Sequence, residues 1–325
     1  MELRTLGRSG LQVSRLGLGT MTWGRDTDAD DAAAQLTDFV EAGGTLIDTA
    51  DVYADGESER VIGRLLGSVV SRDDVVLATK AVGREPGAKR RRDASRGHLL
   101  RALDASLARL GVEYVDLWQL HAWDPDTPLE EALAAIDTAV SSGRVRYAGI
   151  SNYTGWQTAQ AATWQRAVPG RAPIVATQVE YSLLQRGIER EVVPAAQALG
   201  IGILPWSPLG RGVLTGKYRS GRPADSRAAS PNFSRFVEPY LDEAAAGVVN
   251  AVHAAADGLG VAPLVVALAW VRDRPGVVAP IVGARTAAQL RGSLETESLS
   301  LPEEIRTALD DVSMPAVGYP ERWAT

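Results

Sequence analysis

Eight short apolar segments alternate with helix-length segments along this chain, and that order predicts an α/β fold closed into a (β/α)8 TIM barrel. The apolar segments are residues 16–19, 45–49, 75–80, 115–121, 145–150, 174–180, 201–206 and 277–282. The helical segments between them include residues 30–41, 58–68, 96–110, 129–141, 156–166 and 189–199. Several of these segments end at a glycine, which helix C-termini favour because it adopts positive φ: Gly43, Gly111, Gly143 and Gly200.

A doubly wound sheet is the alternative architecture for such an alternation. It normally carries a Gly-x-Gly-x-x-Gly turn after its first strand. Here the first apolar segment continues into residues 18–23, LGTMTW, and that turn is absent. The barrel is therefore the better prediction.

Several segments fall outside the alternation, among them a long stretch at residues 208–240 that is rich in Gly, Arg and Ser. Residues 3–6 and 12–14 flank a Ser9-Gly10 turn and predict an N-terminal hairpin that could plug the bottom of the barrel. Residues 242–258 predict an extra helix before the seventh barrel helix at 263–272, and residues 302–311 predict a helix in the tail. No low-complexity linker divides the chain, so we expect one catalytic domain over residues 1–325 with extra C-terminal helices.

Composition excludes several classes of function. The formal net charge of −6 argues against a nucleic-acid partner, since duplex binders carry a basic face. The absence of cysteine excludes disulfides and thiolate metal sites, and His98, His121 and His253 lie too far apart in sequence to predict a metal site. The N-terminus lacks a signal-peptide apolar stretch, and the most apolar run, 262–271, is too short to cross a bilayer. We expect a cytoplasmic protein with no membrane partner.

Polar residues stand where three neighbouring predicted strands end, which is the edge at which barrels carry their chemistry. Asp48 and Tyr53 follow the second strand, Lys80 ends the third and His121 ends the fourth. Any one of them alone could be a salt-bridged or capping residue. A lysine inside a barrel is costly to bury unpaired, however, and Asp48 is placed to be its partner. Together the four residues predict a catalytic centre.

This set of side chains suits the reduction of an aldehyde or ketone. A carbonyl that accepts hydride develops negative charge on its oxygen, and Tyr53 can supply the proton that this oxygen needs. A neighbouring ammonium lowers the pKa of a phenol from its usual value of about 10, and Asp48 would hold Lys80 charged. His121 would donate a hydrogen bond to the substrate oxygen. The hydride has to come from a nicotinamide, because no side chain can provide it.

Seven stretches of sequence resemble, in order and spacing, the aldo-keto reductase superfamily. They are residues 45–53 (TLIDTADVY), 77–80 (LATK), 117–121 (LWQLH), 149–153 (GISNY), 177–182 (TQVEYS), 205–218 (PWSPLGRGVLTGKY) and 280–290 (PIVGARTAAQL). The resemblance extends from about residue 1 to residue 294. One position departs from the family pattern: relatives usually have Glu-Asn where this chain has Gly292-Ser293, so we expect a weaker hold on the adenine end of the cofactor.

The resemblance implies an NADPH-dependent reductase of small-molecule carbonyl compounds, with Tyr53 as proton donor and Asp48, Lys80 and His121 completing a tetrad. The residues implied in cofactor binding are Thr20, Met21, Asp48, Ser151, Asn152, Gln178, Trp206, Ser207, Leu209, Gly210, Gly212, Lys217, Gly283, Arg285 and Gln289. Among them, positions 151, 152 and 178 match residues that hold the nicotinamide amide, and position 206 matches the aromatic that stacks on its ring. Positions 207–217 match the loop over the pyrophosphate, and the last three match the 2′-phosphate site.

Two alternatives to a reductase remain at this point. A barrel glycosidase needs two facing carboxylates, and only Glu180 could partner Asp48. Some members of the superfamily, such as potassium-channel β subunits and lens crystallins, serve as binding or structural proteins. The second alternative is therefore an NADPH-binding redox-sensing or structural subunit with slow turnover.

The substrate and the oligomeric state are not specified by these patterns. Trp23 and Trp123 are candidate substrate contacts, as are the tail aromatics Tyr319 and Trp323, although each of the four could equally be a packing residue. The basic loop at residues 84–96 follows the third strand. It is either a solvated surface loop or a segment that helps to admit anionic substrates.

Overall fold

Eight parallel strands form a nearly closed barrel in the computed structural model, which describes residues 1–83, 90–219, 221–223, 226, 229, 234–316 and 318–319. A separate antiparallel hairpin consists of β1 (Leu3–Thr5) and β2 (Gln12–Ser14). The barrel strands are β3 (Gly17–Gly19), β4 (Leu46–Asp48), β5 (Val76–Ala81), β6 (Val115–Leu120), β7 (Val145–Ser151), β8 (Ile174–Glu180), β9 (Gly202–Trp206) and β10 (Ile281–Gly283). They pair in the order β10-β3-β4-β5-β6-β7-β8-β9, so the predicted (β/α)8 fold is confirmed.

Helices surround the barrel. The described α-helices are α1 (Ala29–Glu41), α2 (Glu57–Leu65), α3 (Arg96–Leu110), α4 (Leu129–Ser141), α5 (Gly155–Arg166), α6 (Val192–Ala198), α7 (Ser234–Val237), α8 (Glu243–Leu259), α9 (Pro263–Arg272), α10 (Ala287–Leu294) and α11 (Glu303–Val312). The predicted extra helices after β9 and in the tail are present as α8 and α11.

Among the elements that are shorter than the sequence predicted, α6 and β10 each owe the difference to a proline. Helix α6 begins at Val192, three residues later than expected, because Pro194 lacks an N–H and fits only the first turn of a helix. Strand β10 begins at Ile281 and not at 277, because Pro280 cannot donate a ladder hydrogen bond. Upstream of it, Val278 N still donates to Ile203 O on β9 at 2.9 Å, and this contact nearly closes the barrel.

The hairpin closes the end of the barrel at which the strands begin. Its Leu6 and Val13 are fully buried in one cluster with Leu46, Leu117 and Leu204 from the barrel interior. Its backbone is fixed there by Arg8 N, which donates to Gly200 O at 2.8 Å just before β9. Since this end is filled with apolar side chains, chemistry is confined to the opposite end.

In the described part of the chain, no single helix is both long and apolar enough to cross a membrane. Helices α8 and α9 reach that composition only as a pair, and they are bent by 103° relative to each other.

Candidate active site

A buried ion pair lies at the carboxyl ends of β4 and β5. Lys80 Nζ donates to Asp48 Oδ2 at 2.8 Å and to the carbonyl oxygen of Thr49 at 2.8 Å. The two side chains are only 1% and 3% exposed. Gln178 on β8 donates from Nε2 to Asp48 Oδ1 at 2.7 Å, so both carboxylate oxygens are satisfied. The partner expected for the interior lysine is thus present, as the cost of burying an isolated ammonium requires.

Tyr53 and His121 stand above this pair. Tyr53 begins a tight 3-10 turn after β4, in which Ala54 and Asp55 adopt left-handed φ values of 49° and 54°. The rings of Tyr53 and His121 meet edge to face, with centroids 6.0 Å apart. Lys80 Nζ lies 5.1 Å from the centre of the Tyr53 ring. Residues from three strand ends therefore converge as a phenol, an imidazole and a charged pair.

The electrostatics of the cluster set the protonation of each group. Burial raises the pKa of Tyr53 above its usual range, although the charge and the hydrogen bond of Lys80 act in the opposite direction. Burial lowers the pKa of Lys80, but Asp48 and Tyr53 outweigh this effect and leave that pKa raised. Burial, together with the positive charges of Lys80 and Arg92, lowers the pKa of His121 to about 3. Near neutral pH the phenol is protonated, the amine is charged and the imidazole is neutral.

Lys80 lowers the pKa of Tyr53, as the sequence predicted, but it does not bring the net pKa below its usual value. The net pKa is raised, because the effect of burial outweighs that of Lys80. A protonated phenol is the form that can donate a proton to a carbonyl oxygen.

A cavity of about 500 Å³ opens at this end of the barrel, within the size range of pockets that hold small molecules and cofactors. Tyr53, His121 and Asp48 line one part of it. All the residues that the sequence implied in cofactor binding line it as well, with the exception of Gly210. Gly210 instead packs against Leu184, at a φ of 55°.

A chain of hydrogen bonds joins the predicted nicotinamide residues to the ion pair. Trp206 Nε1 donates to Asn152 Oδ1 at 3.0 Å, and Asn152 Nδ2 donates to Ser151 Oγ at 3.1 Å. Ser151 Oγ donates to Gln178 O at 2.8 Å, and Gln178 supports Asp48 as described above. These contacts fix the orientation of the indole ring at the cavity wall. A flat aromatic surface beside amide and hydroxyl groups fits a nicotinamide, which is a flat ring that carries an amide.

The loop after β9 provides backbone and positive charge. Ser207, Arg211 and Gly212 have φ values of 51°, 59° and 92°, so the chain doubles back sharply along the cavity. A Cβ on Gly212 would come within 3.1 Å of Lys217 Nζ, so glycine at this position lets the lysine lie close to the backbone. A cation beside exposed backbone is suited to phosphate groups.

The segment after β10 carries a second cation. Arg285 lies just before Thr286, the N-cap residue of α10, whose side chain accepts from Gln289 N at 3.3 Å. Gln289 Oε1 in turn accepts from Arg285 N at 3.0 Å. The backbone and the side chain of Gln289 therefore both bind the segment that begins α10, a role that the sequence did not predict. Ser293 also lines the cavity at the position where the sequence departs from the family pattern.

The sequence reasoning missed a cluster of Arg211, Phe236 and Tyr240 near Glu180, of which Arg211 and Phe236 line the cavity. Arg211 binds Glu180 through two hydrogen bonds of 2.8 and 2.7 Å, and its guanidinium lies 3.7 Å from the centre of the Phe236 ring. Tyr240 Oη also donates to Glu180 at 2.9 Å. Glu180 could have indicated this cluster in the sequence, because a carboxylate at the end of a buried strand needs a partner. Since Glu180 is neutralised by Arg211, it does not face Asp48 as a second free carboxylate, and a glycosidase arrangement is not formed.

The candidate substrate contacts separate into different environments. Trp23 is fully buried, donates from Nε1 to Gln35 Oε1 at 3.2 Å on α1, and lies outside the cavity lining. This placement corrects the expectation that Trp23 contacts the substrate: it is a core residue. Trp123 is half-buried and also lies outside the cavity lining, and Tyr319 is 74% exposed. Trp323 and residues 84–89 of the basic loop lie outside the described residues.

Comparison with known proteins agrees with this geometry. The sequence model of the Aldo/keto reductase family matches residues 15–313. The chain belongs to the aldo/keto reductase family. It is 37% identical to the uncharacterized oxidoreductase YrpG of Bacillus subtilis over 325 residues, which is 96% of each chain.

Two plant relatives are named as channel subunits and not as oxidoreductases. The chain is 36% identical over 296 residues to a "probable voltage-gated potassium channel subunit beta" of Oryza sativa, covering 89% of each chain. It is 33% identical over 326 residues to a protein of the same name from Arabidopsis thaliana, covering 99% of this chain and 98% of that one. Family membership and the oxidoreductase relative support nicotinamide-dependent carbonyl reduction as the general activity.

Proposed function

We propose that the protein is an NADPH-dependent reductase of aldehydes or ketones that acts as a single catalytic domain. The observation that carries this proposal is the position of Tyr53 and His121 on the cavity wall, directly above the buried pair of Lys80 and Asp48. A phenol, a neutral imidazole and a fixed ammonium around one cavity are the groups that a carbonyl oxygen needs when it gains negative charge.

Each residue of the tetrad has a role that follows from its environment. Tyr53 donates its proton to the substrate oxygen, and Lys80 stabilises the phenolate that remains. Asp48 keeps Lys80 charged and in place. His121, which is neutral because of its low pKa, donates a hydrogen bond that orients the carbonyl oxygen. A nicotinamide bound in the cavity would supply the hydride.

Substitution of Tyr53 with phenylalanine tests this role, because it removes only the hydroxyl. We expect kcat to fall by at least about 100-fold, since general acid catalysis contributes about 10²–10⁴-fold. Cofactor binding, measured by quenching of tryptophan fluorescence, should persist. Tyr153→Phe is the matched control: Tyr153 is buried against Trp123 and lies outside the cavity lining. Turnover near that of the wild type in Tyr53→Phe would refute the proposed proton donor.

The preference for NADPH over NADH is assigned to Arg285. The two cofactors differ only in the 2′-phosphate, and a hydrogen bond to a charged group contributes about 1.5–3 kcal/mol, or about 10- to 150-fold in affinity. Arg285→Ala should therefore weaken NADPH binding by about that factor and leave NADH binding nearly unchanged. Arg291→Ala is the control, because Arg291 lies on α10, the helix that Arg285 precedes, and pairs with Asp38 at 2.8 Å, outside the cavity lining. Equal losses for both cofactors in Arg285→Ala would make the residue structural.

The names of the two plant relatives favour a second candidate function, a cofactor-binding subunit of a larger assembly with slow turnover. Steady-state oxidation of NADPH with a panel of aldehydes separates the two. Sustained turnover supports the enzyme, whereas a single slow turnover with retained cofactor supports the subunit.

A further inference from the structure

Three consecutive arginines follow the strand that carries Lys80, and the structure gives them three different environments. Arg90 is held in the fold: its Nη2 donates to Asp124 Oδ2 at 2.8 Å and to Thr127 Oγ1 at 3.2 Å. Arg91 is exposed at the surface. Arg92 is also exposed, but its Nη1 donates to the carbonyl oxygen of Trp123 at 3.0 Å, two residues beyond His121.

This hydrogen bond holds a cation at the end of the barrel where Lys80 and His121 lie, two residues from the imidazole. The charge of Arg92 lowers the pKa of His121, along with burial and Lys80. Arg92 is therefore the arginine that we connect with a group that would touch the reacting carbonyl.

Aromatic side chains stand next to this cation. The Trp123 ring packs edge-on against Tyr153, with centroids 5.2 Å apart, and against Trp156, with centroids 5.4 Å apart. Trp156 is 59% exposed, and Val52, adjacent to Tyr53, is 37% exposed. These residues follow β6, β7 and β4, so their apolar side chains stand at the same end of the barrel as the tetrad. Exposed apolar side chains gain free energy when they cover the apolar body of a ligand.

We propose that Arg92 is a specificity-determining residue that recognises a carboxylate on the substrate, and that the Trp123–Trp156 pair covers the apolar body that joins this carboxylate to the reacting carbonyl. This inference rests on the proposed function and narrows its substrates to carbonyl compounds with an anionic group. The guanidinium has five N–H donors, so the bond to Trp123 O leaves it the capacity to donate to a carboxylate.

A pair of substrates with the same ring and the same reacting group tests the proposal: 4-carboxybenzaldehyde and its methyl ester. We expect the wild type to reduce the acid with the higher kcat/KM. Arg92→Met should lower kcat/KM for the acid by at least about fivefold, mainly through KM, and change that for the ester by less than about twofold. Arg91→Met is the matched control, because it removes the same charge from the neighbouring exposed position. It should leave the ratio of the two substrates unchanged.

Two results would overturn the proposal. Equal losses of kcat/KM in Arg92→Met and Arg91→Met would show that the arginines act only through the overall positive field of the surface. Such a field also disappears in high salt. Equal losses for the acid and the ester in Arg92→Met would show that Arg92 positions the loop of Trp123 and does not recognise an anion.

A binding measurement separates this inference from the proposed function. The unreactive analogue 4-methylbenzoate should quench tryptophan fluorescence of the wild type and bind at least about fivefold more weakly to Arg92→Met. If this holds while neither aldehyde is reduced, the proposed function fails and the anion site stands. If the ester is reduced while the acid is no better and the analogue binds both proteins alike, the inference alone fails.

Discussion

Replacement of Lys80 with methionine tests the buried ion pair on which the site is built. Methionine keeps the length of the lysine stem and removes the charge. Asp48 would then retain its bond from Gln178 but lose the ammonium 2.8 Å away, at a position where its side chain is only 3% exposed. Removal of one partner from a buried ion pair typically costs about 3–5 kcal/mol, because the other charge is left uncompensated. We expect a loss of this size in the free energy of unfolding.

The double variant Asp48→Asn with Lys80→Met distinguishes charge from packing. Asp48→Asn alone leaves Lys80 as the uncompensated charge and should cost a similar amount. With both changes no buried charge remains, so we expect the double variant to be more stable than either single variant, within about 1–2 kcal/mol of the wild type. All three variants should lose most of the carbonyl-reducing activity, because none has an ammonium fixed by Asp48 beside Tyr53.

Urea unfolding followed by tryptophan fluorescence gives the stabilities, and NADPH oxidation gives the activities. Additive losses in the double variant would refute the electrostatic account and assign the effect to packing. Near-wild-type reduction by the double variant would refute the catalytic role of the pair, whatever its effect on stability.

Three further predictions follow from the protonation of buried groups. The rate of carbonyl reduction should change little between about pH 6 and about pH 9, because Tyr53 stays protonated and His121 stays neutral over this range. An inflection of the rate near the ordinary histidine pKa of about 6.5 would contradict this prediction. Borohydride added with a carbonyl substrate should leave no adduct on Lys80 by mass spectrometry, because the raised pKa keeps its amine protonated and therefore not nucleophilic. Asp51→Asn should stabilise the protein more at about pH 8 than at about pH 5, with a difference on the order of 2 kcal/mol in urea unfolding. Burial and the charge of Glu59 raise the pKa of Asp51 to about 7. The free energy of unfolding of the wild type therefore falls as the pH rises from about 4 to about 7. If Asp51→Asn changed the stability equally at both pH values, this prediction would be contradicted.

The cluster of Asp48, Tyr53, Lys80 and His121 was predictable, because the position of a residue at a strand end and the cost of burying a charge can both be judged from the local sequence. A lysine in an apolar strand has to find a partner, and Asp48 ends the neighbouring strand at the same edge of the barrel. The same reasoning placed Tyr53 and His121, since both follow strands whose ends meet. The helices α3, α4 and α9 were predicted with the bounds that they have, because their apolar periodicity agrees with a glycine or a proline at one end.

The direction in which side chains in the loops point was not predictable from the sequence. Trp23 and Trp123 each follow a barrel strand, yet Trp23 is fully buried beside Gln35 and Trp123 is half-buried. Sequence spacing does not decide between these orientations, because the packing partners come from elements far away along the chain. The pair of Glu180 and Arg211 is another example: it depends on a left-handed φ of 59° at an arginine, which no pattern signals.

The three arginines at residues 90–92 are adjacent in sequence but have different environments in the structure. As sequence they form one basic run, which is either a solvated loop or a loop that admits anionic substrates. In the structure Arg92 forms an antiparallel bridge with Gly83. Arg91 and Arg92 are both exposed, and Arg92 Nη1 donates to the carbonyl oxygen of Trp123. The matched variants Arg91→Met and Arg92→Met have the same net charge, so a difference between them would assign the preference for anionic substrates to the position of the charge and not to its amount.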